Sequence, residues 1–449
     1  MRRRRPIDRR TTESGRGQTC ALAGRIPFEI LLTIFAHLQP SAPDIDHNAS
    51  AARAFVSSVA STPMVCRHWR AAGTEALYRF VDLTFASERA CARFLKTITR
   101  LPHLPGLVHG VAFPRLQMSS SEATLSVRSS RFALFGGRAT NNSLDAAKLH
   151  TEIFLRCYPL QEVHFPTETV APEIIQRGLL AAVRVAHVGF CSPASTGSVP
   201  VLPHLSHAHT LAVTHTAARH PSMHFLNGTE SLIPTPALHL VTLHLANLVM
   251  PLPQWNALLA SLRLTGTLRQ LVVRTFMLAL SQGDGRDLLL PDDVLPVAGT
   301  LERLEVGTVL REPGALHMMP HLRTLSTHVA FPTVLPAPRA LPRALRVFRI
   351  VDDRRGGVGS GDSWAWPVAR FVKALLSDRP PELESVEVEA GISKWDELKD
   401  WTVLAWCLRQ ACAHVGVQLK IDIRGKSSSL RKFELTFLAS SPSPIGCLR

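Results

Sequence analysis

Residues 240–245 read Leu-Val-Thr-Leu-His-Leu, and this short stretch contains the pattern from which the fold follows. Leu240 is followed, after two variable positions, by Leu243, and Leu245 comes one further variable position later. Alternation of apolar residues is typical of a strand with one buried face, and Leu240 predicts an inward-pointing side chain in the turn before it. The stretch therefore predicts a short strand that buries one face against its neighbours.

The same pattern recurs along the chain after residue 100. Its other copies are Val108-Val111-Phe113, Leu160-Val163-Phe165, Val185-Val188-Phe190, Ala208-Leu211-Val213, Leu268-Leu271-Val273, Leu301-Leu304-Val306, Leu345-Phe348-Ile350 and Leu383-Val386-Val388, with a weaker copy at Leu322-Leu325. Such units cannot bury their apolar face alone and must stack on one another, and most copies are separated by about the 20–29 residues of leucine-rich repeats. We therefore expect an α/β fold, with an irregular leucine-rich-repeat-like solenoid of parallel short strands and helices over residues 84–424. The alternative is a generic α/β protein whose strands begin with leucine.

A second signal lies in residues 26–38, IPFEILLTIFAHL. Pro27 suits the first turn of a helix, and Glu29 is favourable near the positive end of the helix dipole. Large apolar residues then repeat at helical spacing, at Ile30, Leu31, Ile34, Phe35 and Leu38. This is more apolar surface than a short helix needs to attach itself to its own domain, so some of these side chains are candidates for contact with a partner helix. The alternative is that all of them belong to the core.

Residues 39–83 extend this segment. We expect a loop over residues 39–50, a helix over 51–60, a helix over 65–78 and a short strand over 80–85. The Trp69 ring is expected to fill the junction between the helices of residues 26–38 and 65–78.

Charge and composition narrow the range of functions. The 449 residues allow two or three domains, and a hydrophobic content of 46% favours a folded core. Residues 1–24 form a basic leader that we expect to be disordered, and residues 425–449 are expected to be a loose tail. The leader is rich in arginine and begins with the run Arg2 to Arg5. Three interpretations of this charge stay open, namely a nuclear import signal, a nucleic-acid contact and a solvated tail.

Several kinds of chemistry have no support in the sequence. No stretch approaches about 18 uninterrupted apolar residues, so no membrane span is expected. The eight cysteines include no C-x-x-C pair and indicate reduced thiols, which favours the cytoplasm, the nucleus or both. No phosphate-binding loop or nucleophile elbow is present, and the histidine-rich residues 204–224 lack accompanying Asp or Cys ligands. We therefore predict no enzyme activity, no cofactor and no metal site. Aromatic residues make up only 6% and offer few platforms on which bases could stack, so we expect no nucleic-acid partner.

Residues 25–83 resemble an F-box, in particular the F-box-like proteins of fungi. The matching pieces are Ile26-Pro27-x-Glu29-Ile30-Leu31 with Ile34-Phe35-x-x-Leu38, then Val65-Cys66-Arg67-x-Trp69-Arg70, then Ala76-Leu77-Tyr78-Arg79-x-Val81-x-Leu83. The recurring strand motifs that follow are similar to the repeat half of the same family.

The resemblance implies a substrate receptor of a cullin-type ubiquitin ligase. Its F-box-like helices would dock on a Skp-type adaptor, which joins the cullin scaffold, and its repeat domain would hold the protein to be ubiquitinated. The residues that it implies for the adaptor contact are Pro27, Glu29, Ile30, Leu31, Ile34, Phe35, Leu38, Val65, Cys66 and Trp69.

Substrate binding is expected on an exposed, concave face of the sheet. The candidates are the residues between the inward-pointing positions of each motif, namely His244, Val272, Glu305, Arg349 and Glu387. Their mixed charge favours an unknown protein substrate over nucleic acid. A protein-binding repeat scaffold without any ligase role is the alternative function.

Overall fold

The computed structural model describes residues 26–38, 59, 67–84, 86, 88–113, 142–167, 169–190, 199–215, 239–279, 285–286, 291–306, 313–329, 339, 341–352, 365–392, 395–425 and 434–439. The expected leader over residues 1–24, the loop over 39–50 and all of the expected helix over 51–60 except Val59 lie outside these residues. The chain divides into two compact units. Unit 1 comprises residues 1–166 and 171–183, and unit 2 comprises residues 167–170 and 184–449. The solenoid was expected to begin at residue 84, whereas unit 1 contains both the helical segment and the first two strand motifs.

Unit 1 combines helices with a small parallel sheet. Its helices are α1 (Phe28–Leu38), α2 (Arg67–Arg79), α3 (Glu88–Arg100), α4 (Asn142–Arg156) and α5 (Pro172–Gln176). Its strands are β1 (Phe80–Asp82), β2 (Gly110–Ala112) and β3 (Glu162–Phe165). Both β1 and β3 pair with β2 in parallel, so the strands lie in sequence order.

Gly110 lets the Phe80 ring lie across the middle strand of this sheet. A Cβ atom at position 110 would stand 2.5 Å from a carbon of the Phe80 ring and 3.1 Å from the Cβ of Glu162. The same ring lies 5.0 Å from the ring of His164, centroid to centroid. A larger residue at position 110 would therefore displace the ring that connects β1 to β3.

The core of unit 1 beside its sheet is aromatic. The Phe154 ring of α4 stacks on the rings of Phe113 and Phe165, with centroid distances of 6.0 and 6.5 Å. His150, one turn earlier on α4, packs its ring 5.1 Å from that of Phe113. Burial lowers the pKa of His150 to about 4, because the charged imidazolium would lose its hydration there.

We expect this buried ring to make the chain less stable in mild acid. The folded chain keeps His150 neutral down to about pH 4, whereas the unfolded chain binds the proton near pH 6.5. The stabilisation present at neutral pH is therefore lost as the pH falls from 6.5 towards 4, by about 2 kcal/mol at pH 5. Urea unfolding followed by circular dichroism at pH 7.5 and pH 5 measures this loss, which should shrink in His150→Gln. The exposed His103→Gln is the control, and an equal loss in both variants would contradict the assignment.

Unit 2 is a longer mixed α/β body. Its strands are β4 (Thr169–Val170), β5 (Val185–Phe190), β6 (Val199–Pro200), β7 (Thr210–His215), β8 (Thr242–Pro251), β9 (Gln270–Ala279), β10 (Gly285–Arg286), β11 (Arg303–Val306), β12 (Thr324–Val329), β13 (Val347–Asp352), β14 (Ser385–Ile392), β15 (Gln418–Gly425) and β16 (Glu434–Ala439). Its helices are α6 (Leu252–Thr265), α7 (Ala365–Ser377) and α8 (Trp395–Val415). The short strands β4 and β6 form a separate antiparallel pair.

The main sheet of unit 2 follows the order of the sequence. Each strand pairs in parallel with the next, in the order β5, β7, β8, β9, β11, β12, β13, β14 and β15. The register places the equivalent motif residues side by side, as Leu243 beside Leu271 and Leu271 beside Leu304. Leu243, Leu245, Leu271, Val273, Leu304 and Val306 are all buried. The predicted parallel order of these strands is therefore confirmed, as are the predicted inward positions of these three motifs. In β5 the prediction Val185-Val188-Phe190 is wrong by two residues. Register pairs Ala186 with Leu211 and Val188 with Val213, so the equivalent buried residues are Val183, Ala186 and Val188, and Val185 is only partly buried.

A ladder of backbone hydrogen bonds joins the strands of unit 2 where they begin. The amides of Arg269 and Gln270 both donate to the carbonyl of Val241, and the amides of Glu302 and Arg303 both donate to that of Arg269. The same arrangement, in which two consecutive amides donate to one carbonyl of the preceding strand, recurs at the start of every parallel strand from β7 to β14. A single hydrogen bond from the Gln418 amide to the Glu384 carbonyl continues the series to β15. We call this the strand-start ladder. It satisfies backbone groups where the strands begin, and it fixes the register of neighbouring strands.

Helices cover the apolar face of this sheet. Trp255 and Leu259 of α6 are buried beside β8 and β9. Helix α8 contacts α7, β14, β15 and β16, and its buried side chains are Trp401, Leu404, Ala405, Leu408 and Cys412. These residues recur three to four positions apart, which is the spacing of one buried helical face. Within the described residues, no helix combines the length and the apolar character needed to cross a membrane.

The prediction of a loose tail over residues 425–449 is wrong for its middle part. Residues 434–439 form β16, which pairs antiparallel with β15 from Arg424↔Glu434 to Leu419↔Ala439. The antiparallel direction explains the error. A strand that returns through a short connection needs no turn residue like Leu240, so it does not carry the motif.

Candidate functional site

Helix α1 divides its apolar side chains between core and surface. Leu31 and Phe35 are 0% and 2% exposed and lie in a cluster with Val59, Ala72 and Ala76. Ile30 and Ile34, by contrast, are 51% and 43% exposed. We call these two residues the isoleucine pair. The alternative that all the apolar residues of α1 belong to the core is therefore wrong, and so is the expectation that Leu31 and Phe35 are available to a partner.

Trp69 lies at the junction of α1 and α2, as predicted. Its ring is partly buried and meets the Phe35 ring edge to face, with a centroid distance of 6.0 Å and an interplanar angle of 78°. It packs against the same cluster as Leu31. This residue therefore holds α1 in place and presents little of its ring to a partner.

The other predicted adaptor residues are placed as follows. Pro27 and Glu29 are exposed at the start of α1. Leu38 ends α1, but its side chain lies outside the described part of the structure. Val65 and Cys66 also fall outside the described residues, so their predicted roles stay predictions.

The second candidate site is the face of the unit 2 sheet that lies opposite the buried leucines, which we call the polar face. Register places the predicted substrate residues in one row across neighbouring strands. The row runs Ala212, His244, Val272, Glu305, Ser326, Arg349, Glu387 and Lys420. All five predicted substrate residues are therefore brought together on one face.

The burial of this row differs from the expectation. Val272 and Glu305 are 5% and 2% exposed, although both were expected to lie on an exposed surface. His244, Arg349 and Glu387 are partly buried. Part of the cover over Glu305 comes from long side chains at adjacent positions, since neighbouring strands lie about 4.8 Å apart.

Glu305 shows this cover directly. The Nε of Arg274 donates to a Glu305 carboxylate oxygen at 2.6 Å, and Nη2 of Arg303 lies 3.5 Å from the other oxygen. The side chain of Glu305 is 3% exposed, whereas those of Arg274 and Arg303 are 37% and 41% exposed. The buried carboxylate thus holds two accessible guanidinium groups in place.

Arg349 has the opposite surroundings. It forms ion pairs with Glu387 and Glu389 on β14, the first with Nε and carboxylate oxygen 3.9 Å apart. Burial works to lower the pKa of Arg349, but the hydrogen bond to Glu389 and the charges of Glu389, Glu305 and Glu387 outweigh it, so the pKa is raised. Arg349 therefore stays charged and holds two carboxylates at the surface.

Five further charged residues lie on this face and were not among the predicted ones, namely Arg274, Arg303, Glu389, Lys420 and Asp422. The prediction named one residue on each of five strands, whereas alternation places the residues two positions before and after on the same side. Lys420 and Asp422 on β15 form an ion pair of 2.9 Å between Nζ and a carboxylate oxygen. Counting in steps of two from Val272, Glu305 and Glu387 would have found Arg274, Arg303 and Glu389.

No protein-family model matches this chain, and no curated protein matches it either. The chain presents two candidate binding surfaces. The isoleucine pair offers a small apolar patch on a helix, and the polar face offers charged groups that are already fixed in position. Both are suited to binding another macromolecule.

Proposed function

We propose that this chain is a substrate receptor that links a target protein to a cullin-type ubiquitin ligase through a Skp-type adaptor. The observation that carries the proposal is the division of α1. A helix that is already anchored by Leu31, Phe35 and Trp69 still presents Ile30 and Ile34 to solvent. In helix-in-groove recognition, apolar side chains one turn apart on one helix pack into a hydrophobic groove of the partner, and the isoleucine pair has this arrangement.

The resemblance of residues 25–83 to an F-box supports the choice of partner. In that family the segment equivalent to α1 and α2 contacts the Skp-type adaptor, and the cullin scaffold joins through the adaptor. The polar face of unit 2 is then the surface for the target protein. Chemistry on the target is supplied by the ubiquitin-conjugating enzyme and not by this chain.

Co-purification of the full chain with a co-expressed Skp-type adaptor tests the proposal. We expect the unaltered chain to form a stable complex and the double variant Ile30→Asp, Ile34→Asp to lose it. Each buried isoleucine contributes about 1.5–3 kcal/mol when fully covered, so loss of two half-exposed ones and burial of two carboxylates should weaken binding at least 100-fold. Val403→Asp, at another exposed apolar position on α8, is the matched control.

A complex that survives the double variant would show that the isoleucine pair is not the contact. An unaltered chain that binds no Skp-type adaptor would exclude the ligase role and leave a protein-binding repeat scaffold as the function. That second function needs only the polar face.

A further inference from the structure

Apart from the Lys420–Asp422 ion pair of β15, which carries no net charge, the charged side chains described on the polar face form two regions of opposite charge excess. Over β9 and β11, the two guanidinium groups of Arg274 and Arg303 share the single buried carboxylate of Glu305. Over β13 and β14, the two carboxylates of Glu387 and Glu389 share the single guanidinium of Arg349. The first region therefore carries one positive charge in excess, and the second carries one negative charge in excess.

These excess charges remain accessible. The side chains of Arg274 and Arg303 are more than one third exposed, and those of Glu387 and Glu389 are 34% and 25% exposed. A guanidinium group has five N–H donors, so each arginine keeps donors beyond those directed at Glu305. Ser326 of β12 lies between the two regions with a fully buried side chain and adds no charge there.

The geometry of the sheet fixes the distance between the regions. From the middle of the β9–β11 pair to the middle of the β13–β14 pair is three strand spacings, or roughly 14 Å. An extended peptide advances about 3.3 Å for each residue, so about four residues span this distance. Side chains four positions apart in an extended chain point to the same side, so both can face the sheet.

We propose that the polar face binds an extended segment of its target in which an anionic group and a basic side chain stand four residues apart. The anionic group, a carboxylate or a phosphate, contacts Arg274 and Arg303, and the basic side chain contacts Glu387 and Glu389. This inference rests on the proposed function in taking the face as the target surface. It adds the charge pattern of the segment that the face selects.

Fluorescence anisotropy with labelled nine-residue peptides tests this selection on the full chain at about 0.1 M salt. The peptides carry Glu and Arg two, three, four or six residues apart, in both orders, on a neutral alanine and serine background. A second set replaces Glu with phosphoserine, and the remaining peptides carry only acidic or only basic pairs. We expect at least tenfold tighter binding at a separation of four, and the phosphoserine set shows which anion the face prefers.

Two single variants locate the contacts. Arg303→Gln and Glu387→Gln should each weaken the four-residue peptide about tenfold, while Arg409→Gln, on the exposed side of α8, should leave it unchanged. Comparable binding at every separation, equal binding of a like-charged peptide, or no binding of any peptide would overturn the proposal. The peptide comparison on the unaltered chain decides the matter even if a variant misfolds. No adaptor takes part in these measurements, so their failure is distinct from failure of the ligase role.

Discussion

Leu31→Asp is expected to unfold the helical cluster of unit 1, whereas Ile30→Asp is expected to leave it folded. The two residues are neighbours on α1, yet Leu31 is fully buried and Ile30 is half exposed. Removing a buried leucine costs about 2–5 kcal/mol in lost packing, and a carboxylate placed in the same space has no partner for its charge. The same carboxylate at position 30 faces water, where a surface substitution changes stability by about 0.5 kcal/mol.

Hydrogen exchange measured by mass spectrometry over α1 and α2 separates the two results. Leu31→Asp should abolish the protection of both helices, because Leu31 packs in the same cluster as Ala72 and Ala76 of α2. Leu31→Met conserves the volume and should cost less than about 1.5 kcal/mol. Retained protection in Leu31→Asp would mean that α1 does not pack as described. Under the proposed function both aspartate variants should fail to bind a Skp-type adaptor, but only Ile30→Asp should do so while folded.

The second large effect is expected at the tryptophans of α8. Trp401 is 2% exposed and Trp406 is 64% exposed, although they lie on the same helix. Trp401→Ala should destabilise unit 2 by about 3–5 kcal/mol, because it opens a cavity where α8 covers the sheet. Trp406→Ala should change stability by about 0.5 kcal/mol.

Urea unfolding followed by circular dichroism measures both variants, and hydrogen exchange locates the change. We expect Trp401→Ala to lower protection first in β14, β15 and β16, which α8 contacts. Equal destabilisation by the two variants would show that the side of α8 that faces the sheet has been assigned wrongly.

The strands could be predicted from the sequence because three buried residues of each motif act together. Leu240, Leu243 and Leu245 are all buried, as are their counterparts through Leu383, Val386 and Val388. A pattern repeated this often specifies both the buried face and the order of the strands. The pattern gives no information on a strand that returns antiparallel, so β16 was missed.

The candidate sites were harder to predict, because burial depends on neighbours that are distant in the sequence. Periodicity places Ile30, Leu31, Ile34 and Phe35 on broadly the same side of α1, but only the position of α2 decides which pair is covered. Likewise, alternation gives the side of the sheet on which Glu305 lies. Its burial depends on Arg274, which lies 31 residues earlier.

Strand β16 also affects how such a chain can change its length during evolution. Because β16 occupies the outer edge of β15, a duplicated repeat has no free parallel edge to join there. Between two existing parallel strands, however, a new repeat meets the same strand-start ladder on both sides and can adopt the same register. Duplications and losses of repeats are therefore expected within the array, where they would move the two charged regions of the polar face closer together or further apart.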